Sequence, residues 1–325
     1  MMDRLPLQED ITNARALIAS YVHRTPVHSS ISLDEICGCR LLFKCENFQK
    51  GGAFKYRGAT HALLQLAPEE IARGVATHSS GNHAQALSLA ARTHGTEAFI
   101  VMPQNAPKIK VEAVTSYGGH ITFCQPTLAD REAMLEEVIK ETNAVEIHPY
   151  NNYHIIAGQA TAAAELFEDA DAPDCLIAPV GGGGLLSGCI LSAKYFSPST
   201  RVYGAEPEKA NDAWKSFRQK KLIPVDTALT IADGLRTSLG SKTFPIIAEG
   251  AEDILCVSEE GIIKAMLLIW ERMKIIAEPS AAVPLAAVLE HPELFRAKRI
   301  GIILSGGNTD LFHLPWTEHQ LSGKH

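Results

Sequence analysis

The sequence predicts an α/β fold in which mainly parallel sheets are flanked by helices. Short apolar runs alternate along the chain with longer segments of helical periodicity, and this alternation is typical of βαβ units. Three of the apolar runs end in turns rich in glycine, serine and asparagine. The length of 325 residues leaves room for about two domains.

Two βαβ units and one further strand account for this pattern. The first unit comprises a strand over 75–78, a turn over 79–82, a helix over 84–94 and a strand over 96–102. The second comprises a strand over 175–180, four glycines over 181–184, a helix over 185–196 and a strand over 201–205. A strand over 299–304 then runs into a turn over 305–308 with the sequence Ser-Gly-Gly-Asn.

Two further helices are predicted from residues that can cap their first turns. Thr127 and Asp130 have the spacing of a capping box, which predicts a helix as far as about Lys140. Ser258 can cap a helix over 259–273, where apolar residues recur at helical spacing. The acidic stretch 167–174 is instead typical of a crossover or an exposed loop.

Composition and charge argue against several classes of protein. The formal net charge is −7, whereas nucleic-acid-binding proteins usually carry a basic stripe. Residues 175–193 carry no charge and could span a membrane, but their glycines favour a buried strand, turn and helix. The first residues lack the apolar core of a secretory signal, and the seven cysteines form no CxxC pair. We therefore expect a cytoplasmic protein with free thiols that binds neither nucleic acid nor a membrane.

The glycine-rich turns are candidate ligand sites. In open α/β sheets, ligands bind beyond the carboxyl ends of the strands. Glycine turns there leave backbone N–H groups free, and a helix N-terminus adds partial positive charge. The three turns therefore predict a phosphorylated or anionic ligand, with tight turns that bind nothing as the alternative.

Two phosphate-bearing ligands fit these turns in different ways. Gly181 and Gly183 open a helix and Glu206 ends the next strand, close to a dinucleotide-binding layout, but Leu186 replaces the expected third glycine. Lys55 instead lies in an apolar, glycine-flanked segment. A lysine that loses solvation has a lowered pKa, which favours Schiff-base chemistry with an aldehyde such as pyridoxal phosphate (PLP). A surface lysine whose stem covers apolar residues is the alternative.

Four motifs, in this order along the chain, resemble those of fold-type II PLP enzymes. They occupy residues 52–58, 79–83, 181–184 and 305–308. Within that class the chain resembles the serine racemase and serine/threonine dehydratase family, and it is similar to the threo-3-hydroxyaspartate ammonia-lyases. The similarity extends from about Ile11 to Asp310. It implies a two-domain, tryptophan synthase β-like fold, with a small domain over 75–147 and a large PLP-binding domain formed by 1–74 plus 148–325.

The resemblance implies a set of cofactor contacts. Lys55 would bond PLP covalently and, once the substrate has displaced it, would remove the proton from the substrate Cα. The other implied contacts are Phe54 beside the ring, Asn82 at the phenolic oxygen, Gly181, Gly182, Gly183 and Gly184 at the phosphate, Ser305 at the pyridine nitrogen, and Asp233 and Gly234 along the cofactor.

The resemblance also implies substrate contacts in the second motif. Ser79, Asn82 and His83 would bind the substrate carboxylate. Ser80 would face Lys55 across the substrate, and two bases on opposite faces are what racemisation requires. A serine at this position, like Ser79, can also be the N-cap of a helix, and the two roles are compatible.

Two features bear on which amino acid is bound. Arg131 would pair with a second substrate carboxylate, or would lie in a surface pair on its helix. Residues 151–154 occupy positions at which relatives carry variable residues that face the substrate. The resemblance therefore implies that this segment sets substrate specificity.

A divalent-cation loop is implied after the strand over 201–205. Glu206 and Asp212 would supply carboxylate oxygens and Ala210 a backbone carbonyl. Mg²⁺ and Ca²⁺ prefer such oxygen ligands, and Mn²⁺ also fits. A solvated acidic loop is the alternative.

The resulting prediction is a PLP-dependent lyase that converts L-serine or L-threonine to a 2-oxo acid and ammonia, with serine racemisation as an added activity. A threo-3-hydroxyaspartate ammonia-lyase is the rival within the class. A dinucleotide-dependent oxidoreductase and a non-enzymatic PLP carrier are the rivals outside it. The family resemblance also implies a homodimer whose ligand is a small amino acid.

Overall fold

A computed structural model describes residues 2–79, 81–225 and 228–316. These residues contain ten strands: β1 (Val27–His28), β2 (Arg40–Cys45), β3 (Val75–His78), β4 (Ala98–Pro103), β5 (Gly119–Cys124), β6 (Val145–Glu146), β7 (Cys175–Pro179), β8 (Arg201–Pro207), β9 (Asp253–Val257) and β10 (Arg299–Leu304). The larger sheet has the order β1-β2-β10-β7-β8-β9, and the smaller has the order β5-β4-β3-β6. Only the β1–β2 pair is antiparallel among the described strands, so the predicted parallel-rich α/β architecture is confirmed.

The helices fill the connections between the strands. They are α1 (Gln8–Ile18), α2 (Ile31–Cys37), α3 (Lys55–Leu64), α4 (Pro68–Ile71), α5 (Asn82–Thr93), α6 (Lys108–Ser116), α7 (Leu128–Thr142), α8 (Tyr153–Asp169), α9 (Gly184–Phe196), α10 (Asp212–Gln219), α11 (Thr243–Gly250), α12 (Glu259–Met273), α13 (Pro279–Glu290) and α14 (Pro292–Phe295). No helix in the described part of the chain is long and apolar enough to cross a membrane. All seven cysteines are free.

The larger sheet is buried on both faces because its strands carry apolar side chains on both sides. Successive side chains of a strand point to opposite faces. Accordingly, Ile302 packs in the core with Phe43 and Ile269, whereas Ile303 packs in a second core with Leu186 and Ala160. Helices α12 and α13 contribute to the first core, and α8 and α9 contribute to the second.

The predicted helix caps are present in two cases and differ in a third. Thr127 accepts a hydrogen bond from Asp130 N at the start of α7, and Ser258 accepts one from Gly261 N at the start of α12. The N-cap residue of α5 is Gly81, so the expectation that Ser79 caps this helix is wrong. Ser79 Oγ instead accepts a 3.3 Å hydrogen bond from Gly81 N, which stabilises the turn before the helix.

The stretch predicted as a crossover or loop over 167–174 is partly helical. Helix α8 continues to Asp169 because its acidic end is held by the N-terminal segment. Arg24 Nη2 donates a 3.1 Å hydrogen bond to Glu168 Oε2 and another hydrogen bond to Asp169.

Helices α3 and α8 approach each other closely at two glycines. A Cβ on Gly58 would lie 2.4 Å from Gln159 Nε2, and one on Gly158 would lie 2.7 Å from Gly58 Cα. Glycine is therefore required at Gly158 for the two helices to pack at this distance, whereas a side chain at Gly58 would displace the buried side chain of Gln159.

Candidate active site

A cavity lies where the carboxyl ends of β3, β7 and β10 meet the N-terminus of α3. This is the edge at which parallel sheets bind ligands. The cavity is lined by these residues singled out in the sequence: Phe54, Lys55, Ser79, Asn82, His83, Arg131, Gly181, Gly182, Gly183, Gly184, Gly234 and Ser305. Ser80 lies outside the described residues. Residues from both sheets thus converge on one site.

Lys55 is the first residue of α3, and its amine is enclosed. Lys55 Nζ donates a 2.7 Å hydrogen bond to Pro149 O and lies 5.3 Å from the centroid of the Phe54 ring. Burial lowers the pKa of Lys55 to about 8, because the charged form loses its hydration. A substantial fraction of the amine is therefore neutral near physiological pH, as a nucleophile or a base must be.

The turn that carries Lys55 is anchored by a buried network of charges. Arg57 Nε donates a 2.7 Å hydrogen bond to Glu46 Oε2, and Arg57 Nη1 donates one of 2.7 Å to Glu165 Oε1. Lys44 Nζ completes the network with a 2.7 Å hydrogen bond to Glu165 Oε2. Two cations and two carboxylates thus neutralise one another, and they tie α3 to β2 and α8.

The four consecutive glycines form a cradle of free N–H groups at the start of α9. Gly183 has a φ of +87°, a left-handed conformation that strongly favours glycine. Within the described residues, none of the four glycine N–H groups donates to a protein acceptor. Unpaired N–H groups at a helix N-terminus are suited to bind phosphate.

Asn82 and Asn308 connect the cavity wall to a buried carboxylate. Asn82 Nδ2 donates a 2.7 Å hydrogen bond to Glu278 Oε1, and Asn308 Nδ2 donates one of 3.0 Å to Asn82 Oδ1. Glu278 Oε2 is buried and has no hydrogen-bond partner in the described structure. Burial raises the pKa of Glu278 to about 7.

Two of the remaining predicted contacts, Ser305 and His83, differ in their hydrogen bonding. The Ser305 hydroxyl lines the cavity and makes no hydrogen bond within the described chain. His83 Nε2 lies 3.0 Å from Ile147 O, and burial holds the pKa of His83 well below its usual value. The His83 imidazole is therefore neutral. Gly234 N donates to Ser280 Oγ at 3.1 Å, in a 3₁₀ turn (Asp233–Leu235).

Arg131 lies in the first turn of α7 and lines the cavity. Its Nε donates a 3.3 Å hydrogen bond to Thr127 O. In the part of the chain that the structure describes, Arg131 forms no ion pair, so the surface pair considered for it is absent. The guanidinium group is therefore available to an anionic ligand.

The predicted metal residues are close together and buried. Glu206, the last residue but one of β8, accepts hydrogen bonds from Trp214 N at 2.6 Å and Ala213 N at 3.2 Å. Burial raises the pKa of Glu206 well above its usual value and that of Asp212 to about 7. No group of three or more His, Cys, Asp or Glu residues able to hold a metal occurs among the described residues. A site there would therefore rest on these two carboxylates, the Ala210 carbonyl and water.

Several lining residues were not identified from the sequence. They include His78, Lys110, Leu128, Pro149, Tyr150, Arg236, Thr237, Glu278 and Ser280. The segment 151–154 does not line the cavity, contrary to the expectation that it faces the substrate. Asn151 Oδ1 instead accepts a 2.7 Å hydrogen bond from Lys242 N, and His154 Nε2 accepts one of 2.9 Å from Met2 N.

The residues present fit PLP. The glycine cradle offers donors for a phosphate, and the enclosed amine of Lys55 is suited to bond an aldehyde. The Ser305 hydroxyl is available to a ring nitrogen, and the unpartnered Glu278 Oε2 is a polar atom that a ligand or water would satisfy.

Comparison with known proteins agrees with this geometry. The family model described as pyridoxal-phosphate dependent enzyme matches residues 18–306. The chain is 49% identical over 306 residues to a serine racemase of Arabidopsis thaliana, covering 93% of this chain and 92% of that protein. It is 46% identical over 312 residues to a β-hydroxyaspartate dehydratase of Paracoccus denitrificans, covering 96% and 99%. The solved structure of maize serine racemase matches with a TM-score of 0.92 and 44% identity, covering 98% of both chains.

Proposed function

Because the chain belongs to the family of pyridoxal-phosphate dependent enzymes, we propose that it converts a small β-hydroxy amino acid to a 2-oxo acid and ammonia. L-serine or L-threonine is the leading substrate, with serine racemisation as an added activity of the same site. The observation that carries this proposal is the enclosed amine of Lys55, whose pKa is lowered, beside a cradle of unpaired glycine N–H groups. The similarity to serine racemases and to a β-hydroxyaspartate dehydratase supports the substrate class.

In the proposed mechanism, each residue has one task. PLP, when bound, withdraws electrons from the substrate Cα and makes its proton acidic. Lys55 Nζ takes that proton, and its lowered pKa matches this task near neutral pH. Asn82 and the neutral His83 would orient the substrate and cofactor, and Ser305 would bond the ring nitrogen. Ser80 remains a prediction as the second base for racemisation.

Hydroxyaspartate is the second candidate substrate. Arg131 lines the cavity without an ion pair in the described structure, so it could bind a second carboxylate. Such a charge-assisted hydrogen bond is about twice as strong as a neutral one. The β-hydroxyaspartate dehydratase of Paracoccus denitrificans, similar over almost the whole chain, supports this candidate.

We also propose the predicted divalent-cation site at Glu206, Ala210 and Asp212. Two buried carboxylates close together repel each other, and a cation such as Mg²⁺, Ca²⁺ or Mn²⁺ would relieve that repulsion. PLP chemistry does not require this ion, so its role would be structural or activating.

The domain division, assembly and compartment complete the proposal. The smaller sheet falls within 75–147, which supports those bounds for the small domain, with 1–74 and 148–325 as the large one. Closure of one domain on the other would exclude water from the cavity. We propose a homodimer, which the family resemblance supports. The seven free cysteines support a reducing compartment such as the cytoplasm.

The decisive experiment measures 2-oxo acid release from L-serine, L-threonine and threo-3-hydroxyaspartate with Mg²⁺ present. Fast turnover of serine or threonine is expected, and a large preference for hydroxyaspartate would favour the second candidate. A holoenzyme that acts on none of the three contradicts the proposal. Borohydride reduction should fix the cofactor on Lys55. The Lys55→Ala variant should lose turnover, whereas Lys50→Ala, which lies outside the cavity lining, should retain it.

A further inference from the structure

Tyr150 lines the cavity, and no step of the proposed reaction uses it. Its ring packs directly on the glycine cradle, because a Cβ on Gly182 would lie 2.3 Å from Tyr150 Cγ and Cδ1. Its hydroxyl lies 3.0 Å from Thr237 Oγ1. The His148 ring packs edge-on against it, with 4.6 Å between the ring centroids. The side chain is thus held on three sides.

The backbone of Tyr150 is held as firmly as its ring. Tyr150 N donates a 3.3 Å hydrogen bond to His148 Nδ1, and Asn151 N donates one of 2.9 Å to the same atom. Burial lowers the pKa of His148 to about 3, so this imidazole stays neutral and continues to accept hydrogen bonds near neutral pH.

This arrangement fixes the one hydrogen-bond acceptor of Lys55. The Pro149 carbonyl and the Tyr150 N–H belong to the same peptide plane, and in a trans peptide they point in opposite directions. When the N–H is directed at His148, the carbonyl is directed the other way, where it accepts the 2.7 Å hydrogen bond from Lys55 Nζ. Lys55 Nζ donates no other hydrogen bond within residues 2–79, 81–225 and 228–316.

We propose that Tyr150 is a positioning residue. Anchored by Thr237 and by the glycine cradle, it holds the Pro149 carbonyl at the place where the free amine of Lys55 is oriented. The inference rests on the proposed role of Lys55 as the lysine that bonds PLP. The ring and hydroxyl of Tyr150 would thus orient the amine of Lys55 through the Pro149 carbonyl.

The test measures how fast Lys55 bonds PLP again after the cofactor has been removed, followed by absorbance. Tyr150→Phe keeps the ring and loses the hydroxyl, and Thr237→Val removes its partner with little change of shape. We expect each variant to slow bonding about fivefold, the effect of one neutral hydrogen bond. Because both remove the same interaction, the double variant should be no slower than either single one. Tyr203→Phe, in the core of the larger sheet, is the matched control and should bond at the parental rate.

A second measurement separates positioning of Lys55 from a change in the phosphate cradle. Pyridoxine 5′-phosphate carries an alcohol in place of the aldehyde, so it can occupy the site without bonding Lys55. Its affinity should be the same in the parent, Tyr150→Phe and Thr237→Val. An equal loss of affinity and of bonding rate would overturn the proposal, because Tyr150 would then only shape the cradle.

Two further outcomes test the positioning role of Tyr150 independently of the proposed lyase activity. Parental bonding rates in both single variants would overturn the positioning role, as would a double variant slowed by the product of the single effects. Neither measurement uses an amino-acid substrate, so a failure of the proposed lyase activity would leave this test intact. Where turnover is measurable, kcat should fall with KM unchanged.

Discussion

Asn82 donates a 2.7 Å hydrogen bond to Glu278 across a sequence separation of 196 residues. Asn82 begins α5 beside the smaller sheet, and Glu278 directly precedes α13 on the larger one. The bond therefore connects the two sheets' elements in the lining of the cavity, through a carboxyl group that is almost completely buried.

Replacement of Glu278 by glutamine should make stability less sensitive to pH. Burial raises the pKa of Glu278 from 4.5 to about 7, so its stabilising contribution is full below pH 4.5 and is lost as the pH rises through 7. Glutamine stays neutral and can still accept the bond from Asn82. In urea unfolding, Glu278→Gln should be more stable than the parent by up to about 3 kcal/mol at about pH 8, and the gap should narrow at about pH 5. Parallel pH curves would refute this, and Glu249→Gln, at an exposed position, should follow the parent.

Loss of Arg57 should be far more costly than loss of a surface arginine. Arg57→Met leaves Glu46 and Glu165 buried without their main partner, which should destabilise the fold by about 3–5 kcal/mol. Arg15 pairs with Glu168 at the surface, so Arg15→Met should cost less than about 1 kcal/mol. Urea unfolding of both variants measures the difference. An equal loss of unfolding free energy in the two variants would contradict this prediction, because the buried network would then stabilise the fold no more than the surface ion pair does.

Divalent cations should stabilise the protein more at high pH than at low pH. Burial raises the pKa of Asp212 to about 7, and protons compete with a cation for the ionised carboxylate. Millimolar Mg²⁺, Ca²⁺ or Mn²⁺ should therefore raise the melting temperature at about pH 8 more than at about pH 6. The gain reaches about 2.7 kcal/mol at roughly 100 times Kd. Asp212→Asn should abolish this gain in stability, whereas Glu208→Gln, at an exposed neighbouring position, should not. If divalent cations leave the melting temperature of the parent unchanged, the proposed site is wrong.

Arg131 should control the preference for a dicarboxylic substrate. Arg131→Ala should lower the ratio of kcat/KM for threo-3-hydroxyaspartate to kcat/KM for L-serine by about 10- to 100-fold, because a hydrogen bond to a charged group is lost. Lys140→Ala, at an exposed position of the same helix, should leave the ratio unchanged. A ratio that does not move in Arg131→Ala would show that the second carboxylate, if bound, is bound elsewhere.

The parts of the fold that were predictable are those with local signals. The strand over 299–304 and the helix over 259–273 have the predicted bounds, because apolar periodicity and a capping serine are encoded within the segment itself. The start of α5 was misplaced by two residues because Gly81, whose side chain offers no cap, precedes the helix. The end of α8 was missed because it depends on Arg24, which is distant in sequence.

The residues of the site likewise divide into those with a local sequence signal and those without one. Lys55 and the glycines stand out because their composition is unusual, whereas Tyr150 and Glu278 acquire their roles only from contacts with distant segments. One signal was available for Glu278, since it is the only charged residue within 275–289. A lone carboxylate in an apolar run is costly to bury and is therefore a candidate for function.

The close approach of α3 and α8 also determines which substitutions the chain can tolerate. A side chain at Gly158 must push the two helices apart, and one at Gly58 must displace the buried side chain of Gln159, although neither glycine lines the cavity. In a library of random single substitutions, both positions should be depleted even when variants are selected only for cellular abundance. Position 55 should be depleted only when they are selected for turnover. The positions least tolerant of substitution would therefore include a helix–helix contact that takes no part in the reaction.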